Sequence, residues 1–242
     1  MHYRLIVEYD GTEFHGWQLQ PGARTVQGEL EAAVEQLFGI PLRVTASGRT
    51  DAGVHAVGQV VTFRAERELA PDVVRKAVNA HTGRDLAVRA VDIVDEQFDA
   101  RRSAQSRRYV YRIWNRDVAS PFWRRFAWHV PQPLDVAAMM RAAATIIGER
   151  DFSSFQASGC DAAHPVRRVY RSAVAIDASL LRYEIVATAY LRHMVRNIVG
   201  TLVEVGLHRR DEDLAPLLAA RDRTLAAATA PACGLCLVEI RY

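Results

Sequence analysis

The order of strand and helix patterns constrains this chain most, because the same order occurs twice. In the first half, residues 3–9 alternate apolar and polar as in a strand, and residues 26–37 have the apolar spacing of a helix that stops at Gly39. The patterns that follow are strands near 42–44 and 57–63, a helix that begins at Pro71, and a strand over 86–94. The first half therefore predicts a β-α-β-β-α-β order.

The second half repeats this order. It predicts strand 105–114, helix 134–147, strands 167–177 and 181–189, helix 190–206 and strand 235–241, with a short extra helix near 211–220. We therefore expect an α+β protein of two tandem ferredoxin-like (βαββαβ) units with mainly antiparallel sheet. The predicted domains are 1–104 and 105–242, with an active-site cleft between them.

Composition limits where such a chain works. No stretch approaches the roughly 18 uninterrupted apolar residues of a membrane span, and the first residues lack the apolar core of a signal peptide. The cysteines Cys160, Cys233 and Cys236 are too few, and odd in number, for a secreted disulfide framework. We expect a cytoplasmic protein that does not bind a membrane. The Cys233/Cys236 pair lacks nearby further ligands, which favours reduced structural thiols over a metal site.

The distribution of basic residues indicates more than the net charge of +3. Among 31 basic residues Lys76 is the one lysine, and six arginines fall in residues 101–116, which contain no acid. Arginine binds phosphate bidentately and stacks on bases. This segment taken alone predicts an RNA-binding surface and a solvated strand face equally well.

The densest polar signal is the glycine-flanked segment 47–55 (SGRTDAGVH), which lies between two predicted strands. Gly48 and Gly53 allow a strained loop that holds the carboxylate of Asp51 at a cleft, although a plain hairpin with an Asx turn is the simpler interpretation. An aspartic-protease site requires a second such loop, and the chain has none. It also lacks a Gly-rich phosphate loop, an H-E-x-x-H and a G-x-S-x-G motif.

Residues 48–55 (GRTDAGVH) resemble the signature of the tRNA pseudouridine synthase A family. Further segments match the family in order along nearly the whole chain: 8–11 (EYDG), 16–18 (GWQ), 98–101 (FDAR), 107–111 (RRYVY), 151–155 (DFSSF), 193–200 (HMVRNIVG) and 223–228 (RTLAAA). Cys233 and Cys236 depart from the residues common in relatives, away from these motifs.

This resemblance implies an isomerase that converts uridine to pseudouridine at positions 38, 39 and 40 of the tRNA anticodon stem-loop. It also implies a homodimer that needs no metal or organic cofactor. The catalytic aspartate of the family falls on Asp51. The substrate-binding residues fall on Tyr109, which stacks on the base, on Arg196 in the active site, and on Arg49 beside the nucleophile.

The chemistry suits these residue types, since moving uracil from N1 to C5 attachment involves no net redox change. Asp51 can attack C6 of the base or assist departure at C1′ of the sugar, and the sequence leaves both routes open. The base must first leave its stack, so we expect base flipping, with Tyr109 as an aromatic platform. We also expect Arg196, in an otherwise apolar helix, to lie within salt-bridge distance of Asp51, with Tyr109 beside both.

Two other functions compete with this interpretation. A non-catalytic RNA-binding module would use paired sheets and arginine-rich strands, but it does not need an aspartate among arginines. An aspartate-dependent glycoside hydrolase predicts a second carboxylate about 5–9 Å from Asp51.

Overall fold

The computed structural model describes residues 1–160 and 162–242 of the chain. They form two compact units: unit 1 comprises Met1–Gln105 and Cys236–Tyr242, and unit 2 comprises Ser106–Leu235. The units differ from the predicted domains 1–104 and 105–242 at the end of the chain, because the last strand groups with unit 1.

The elements follow the predicted order closely. The strands are β1 His2–Tyr9, β2 Thr45–Ala46, β3 His55–Arg64, β4 Leu86–Ile93, β5 Ser106–Trp114, β6 Trp128–His129, β7 Gly148–Asp151, β8 Val166–Asp177, β9 Leu180–Ala187 and β10 Leu235–Arg241. The α-helices are α1 Val26–Phe38, α2 Pro71–His81, α3 Val136–Thr145, α4 Met194–Gly206 and α5 Ala215–Ala220. The strand predicted near 42–44 lies slightly later, at β2. The sequence predicts neither β6 nor β7, which are short edge pairings.

Unit 1 is a mostly antiparallel sheet with the strand order β4-β1-β3. The strands β2 and β10 both pair with β3. Strand β2 runs antiparallel to the end of β3, at Val61 and Thr62. Strand β10 runs parallel to the start of β3, at His55 and Ala56. The order β4-β1-β3-β2 is that of the predicted ferredoxin-like unit. The α+β class with mainly antiparallel sheet is thus confirmed.

Local signals account for the helices of unit 1. The hydroxyl of Thr25 accepts a hydrogen bond from the Gly28 N–H at the start of α1, and the helix ends where Gly39 adopts a left-handed conformation. Pro71 opens α2, in the first turn where its missing N–H costs nothing. The buried residues of α1 and the alternate residues of β1 form the core of the unit.

Unit 2 has the strand order β5-β9-β8-β7, with every pair antiparallel, and β6 adds to β5 in parallel. One face of this sheet is apolar, since Tyr111, Tyr183 and Ile185 are buried. The alternate positions on the other face carry Arg108 and Arg112 of β5, and Arg182 and Glu184 of β9. The sheet of unit 2 therefore has a basic face.

The close approach of strand β10 to strand β3 depends on Gly58. A Cβ atom at this position would lie 2.2 Å from the carbonyl oxygen of Val238, so only glycine lets β10 approach this closely.

We predict that Gly58→Ala lowers the free energy of unfolding by about 1–3 kcal/mol, because the methyl group must displace the β10 backbone. The measurement is urea denaturation followed by circular dichroism. Val57→Ala, at an exposed position of the same strand, is the control, and we expect it to change stability by about 0.5 kcal/mol or less. Equal effects of the two substitutions would contradict this account of β10.

Candidate active site

The segment that carries Asp51 joins β2 to β3 in unit 1. Asp51 is half-buried, Arg49 is exposed, and Thr50 between them is buried. The backbone after Asp51 turns sharply, with the Val54 N–H donating to the carbonyl of Asp51 at 3.1 Å and Gly53 at φ 78°. The charged side chains of Arg49 and Asp51 are therefore at least partly exposed, whereas Thr50 between them is buried and holds the loop in place.

Residues 10–17 hold this loop from outside its own strand pair. The Trp17 N–H donates to the carbonyl of Thr50 at 3.0 Å, and the Gly53 N–H donates to the carbonyl of Phe14 at 3.3 Å. The contact is too close for a side chain at Gly11, where a Cβ atom would lie 2.0 Å from the carbonyl oxygen of Val54. The backbone on both sides of Asp51 is thus fixed by a segment about forty residues earlier in the chain.

A buried polar cluster lies beneath the start of the loop. The carboxamide of Gln59 accepts from the Ser47 hydroxyl at 2.8 Å and donates to the carbonyl of Gly48 at 2.8 Å. It also lies 3.4 Å from the hydroxyl of Tyr9, which in turn lies 2.8 Å from the hydroxyl of Thr50. These four side chains (Tyr9, Ser47, Thr50 and Gln59) form what we call the loop-base cluster.

His55 ties the end of the loop to residues 10 and 11. Its Nδ1 lies 3.0 Å from the Gly11 backbone nitrogen and 3.2 Å from the Asp10 carboxylate. The Nδ1 atom accepts from Gly11 when it carries no hydrogen and donates to Asp10 when it carries one, so one of the two bonds forms at a time. In either state His55 acts as hydrogen-bonding scaffold.

Tyr109 lies on β5 of unit 2 and contacts Tyr190 edge-to-face, with ring centroids 5.0 Å apart. The Tyr190 hydroxyl lies within hydrogen-bond distance of the carbonyls of Arg107 and Ile185. Burial, and then the neighbouring Tyr109, raise the pKa of Tyr190 well above its ordinary value. Tyr109 is only 9% exposed, so in this conformation it offers a base a small part of its ring.

Arg196 lies in the first turn of α4 and is half-buried. Its Nε donates to the carbonyl of Ala230 at 2.8 Å, and the Ala230 N–H donates back to the carbonyl of Arg196 at 3.1 Å. A carbonyl is a suitable partner for an arginine in an apolar helix, because it satisfies one N–H donor without adding a second charge.

The neighbouring Asn197 fixes the same segment. Its Oδ1 accepts from the Thr229 hydroxyl at 2.6 Å and from Arg223 at 3.1 Å, and its Nδ2 donates to the carbonyl of Phe155 at 2.8 Å. Sequence reasoning missed Asn197 and the loop-base cluster. The available signal was an amide beside apolar residues of a predicted strand or helix, such as Gln59 before Val60 and Val61.

The predicted site residues divide between the two units. Asp51 and Arg49 belong to unit 1, and Tyr109 and Arg196 belong to unit 2. The ion pair expected between Asp51 and Arg196, with Tyr109 beside both, stays a prediction.

Across residues 1–160 and 162–242, no group of three or more His, Cys, Asp or Glu side chains could hold a metal ion. None of the helices in that part of the chain is both long and apolar enough to cross a membrane. Cys160, Cys233 and Cys236 are thiols and form no disulfide with one another.

Comparison with known proteins gives close relatives over the full chain. A family model described as tRNA pseudouridine synthase matches residues 5–101 and 142–242. The chain is similar to proteins named tRNA pseudouridine synthase A. The one from Paramagnetospirillum magneticum is 46% identical over 99% of this chain and 94% of its own length. The one from Myxococcus xanthus is 44% identical over 99% of this chain and 91% of its own length. The Escherichia coli protein of that name is 45% identical over 98% of this chain and 88% of its own length.

Proposed function

The chain belongs to the tRNA pseudouridine synthase family, and we propose that it converts uridine to pseudouridine at positions 38, 39 and 40 of the tRNA anticodon stem-loop. Family membership makes the protein an isomerase that acts on uridine in tRNA. It therefore disfavours the two competing functions, a non-catalytic RNA-binding module and a glycoside hydrolase.

The observation that carries the proposal is the loop of Asp51. The carboxylate is half-buried, and the backbone on both sides of it is held by residues 10–17 and by the loop-base cluster. A side chain fixed in this way loses little conformational freedom when the substrate binds. This favours a catalytic role for Asp51 over a role in binding alone.

The reaction breaks the bond between N1 of uracil and C1′ of ribose, and forms a bond between C5 and C1′. In one route the Asp51 carboxylate adds to C6 of the base; in the other it bonds to C1′ as the base departs. In both routes the carboxylate is released again and the proton on C5 is lost to solvent, while N1 gains one. Atoms and electrons balance without a cofactor.

The other residues receive roles that suit their chemistry. The target uridine must flip out of its stack for Asp51 to reach it. Arg49, exposed beside Asp51, would bind a neighbouring phosphate or fill the space that the base leaves. Tyr109 would contact the flipped base, after moving to expose more of its ring, and Arg196 would pair with Asp51.

The basic face of unit 2 supports a polyanionic substrate. Glu184, whose side chain is 12% exposed, lies within 4.0 Å of Arg171, Arg182 and Arg108. Arg112 and Arg182 are directly opposite each other on β5 and β9. Like charges in this position destabilise a sheet, so their presence favours a role in binding phosphate.

We predict that Asp51→Asn abolishes pseudouridine formation at all three positions, with a loss of several orders of magnitude, because the amide is not a nucleophile. The assay incubates unmodified tRNA with purified protein and maps pseudouridine by site. Asp92→Asn, which changes a partly exposed aspartate of β4 paired with Arg4, is the matched control and should retain full activity. Pseudouridine elsewhere in the tRNA would overturn the assigned positions, and an active Asp51→Asn enzyme would overturn the assigned nucleophile.

We predict that Arg112→Gln weakens tRNA binding and lowers the slope of log affinity against log salt by about one, as the loss of one phosphate contact requires. The fold should tolerate the change, since it removes a like-charge pair. Arg141→Gln, on α3 and paired with Glu212, should leave the slope unchanged. A salt slope identical to that of the unsubstituted protein would exclude Arg112 from the RNA surface.

We further propose a homodimer that works in the cytoplasm, in line with what the family resemblance implies. Light scattering of the purified protein should then give twice the chain mass of 27.0 kDa. A monomeric mass at working concentration would contradict the dimer.

A further inference from the structure

We propose that Tyr9 and Gln59 are positioning residues for catalysis: their hydrogen bonds fix the backbone of residues 48–50 and so set the direction of the Asp51 carboxylate. The inference rests on the proposed role of Asp51 as the nucleophile. Neither side chain would touch the substrate, because both are buried within unit 1.

Gln59 acts as the bridge of the loop-base cluster. It is 0% exposed, yet its oxygen accepts from Ser47 and its nitrogen donates to the carbonyl of Gly48 and towards Tyr9. A buried carboxamide is costly unless its donors and acceptor are satisfied. Here two of its partners belong to the loop of Asp51, so the free energy of satisfying Gln59 stabilises one conformation of that loop.

Tyr9 extends the same chain of hydrogen bonds to Thr50. The Gln59 nitrogen can only donate, so the Tyr9 oxygen accepts from it, and the hydroxyls of Tyr9 and Thr50 share a further hydrogen bond. Burial raises the pKa of Tyr9 to about 12. The hydroxyl therefore keeps its proton, and Tyr9 bonds to Thr50 and Gln59 as a neutral phenol.

Thr50 passes the constraint to its neighbour Asp51. Its side chain is held by Tyr9, and its carbonyl is held by the Trp17 N–H. The side-chain bond restrains the Thr50 Cα, and the carbonyl bond restrains the planar peptide unit that joins Thr50 to Asp51. Loss of either anchor lets the peptide rotate, and a displacement of about 1 Å at a reacting group can reduce the rate about 100-fold.

The test measures steady-state kcat and KM for Tyr9→Phe, which removes only the hydroxyl oxygen. We expect kcat to fall about 10–100-fold, with KM and tRNA affinity unchanged. Tyr3→Phe is the matched control: Tyr3 lies on the same strand, is equally buried, and bonds through its hydroxyl to the backbone of Leu69. It should lower the melting temperature to a similar extent and leave kcat unchanged.

A second pair of variants changes Thr50, the other partner in the hydrogen bond with Tyr9. Thr50→Val removes the hydroxyl and should reduce kcat like Tyr9→Phe, whereas Thr50→Ser keeps it and should restore most of the rate. The double variant Tyr9→Phe/Thr50→Val should lose no more than the larger single loss, because both changes break one interaction.

The possible outcomes distinguish the positioning role of Tyr9 and Gln59 from the proposed role of Asp51 as nucleophile. Activity in Asp51→Asn would contradict the role of Asp51 as nucleophile, and the positioning role proposed for Tyr9 and Gln59 would then fail with it. Loss of activity in Asp51→Asn together with an unchanged kcat in Tyr9→Phe overturns the positioning role alone. If Tyr9→Phe fails to fold, equal rates for Thr50→Val and Thr50→Ser overturn it instead. Additive losses in the double variant overturn it as well.

Discussion

The backbone contact between residues 10–17 and the Asp51 loop is the constraint on which the site depends. It leaves no room for a side chain at Gly11 and joins Trp17 to Thr50 and Phe14 to Gly53 by hydrogen bonds. A loop between two strands is ordinarily the mobile part of a fold. This loop is instead buried at Ser47, Thr50 and Val54, so the packing of unit 1 sets the position of the charged side chain that the loop carries.

Sequence patterns predicted the elements whose causes are local. The cap at Thr25 and the proline at Pro71 set helix boundaries within a few residues. The pairing of β10 with the start of β3 depends on residues far apart in the chain, and alternation alone does not reveal a partner. The helix predicted over 190–206 begins later, at Met194, because His193 adopts a left-handed backbone (φ 60°).

The same division applies to the site. The glycine-flanked loop marks Asp51, but Tyr9 and Gln59 occupy positions at which any buried side chain would satisfy the strand pattern. Their function depends on which atoms they meet, and a one-dimensional pattern does not contain that information. Asn197 shows the same behaviour in unit 2, where a buried amide again joins a hydroxyl, Thr229, to a backbone carbonyl, Phe155. In each unit, therefore, a buried amide holds a segment beside a charged residue.

The place of β10 has a consequence for how the protein is made. Residues Cys236–Tyr242 complete the sheet of unit 1, although all of unit 2 lies between them and the rest of that sheet. While a ribosome is still synthesising unit 2, the start of β3 lacks this neighbour and presents open backbone donors and acceptors. The start of β3, which follows the Asp51 loop, gains this neighbour only after Cys236–Tyr242 have been synthesised. Unit 1 thus reaches its final sheet after unit 2 has been synthesised, despite coming first in the chain.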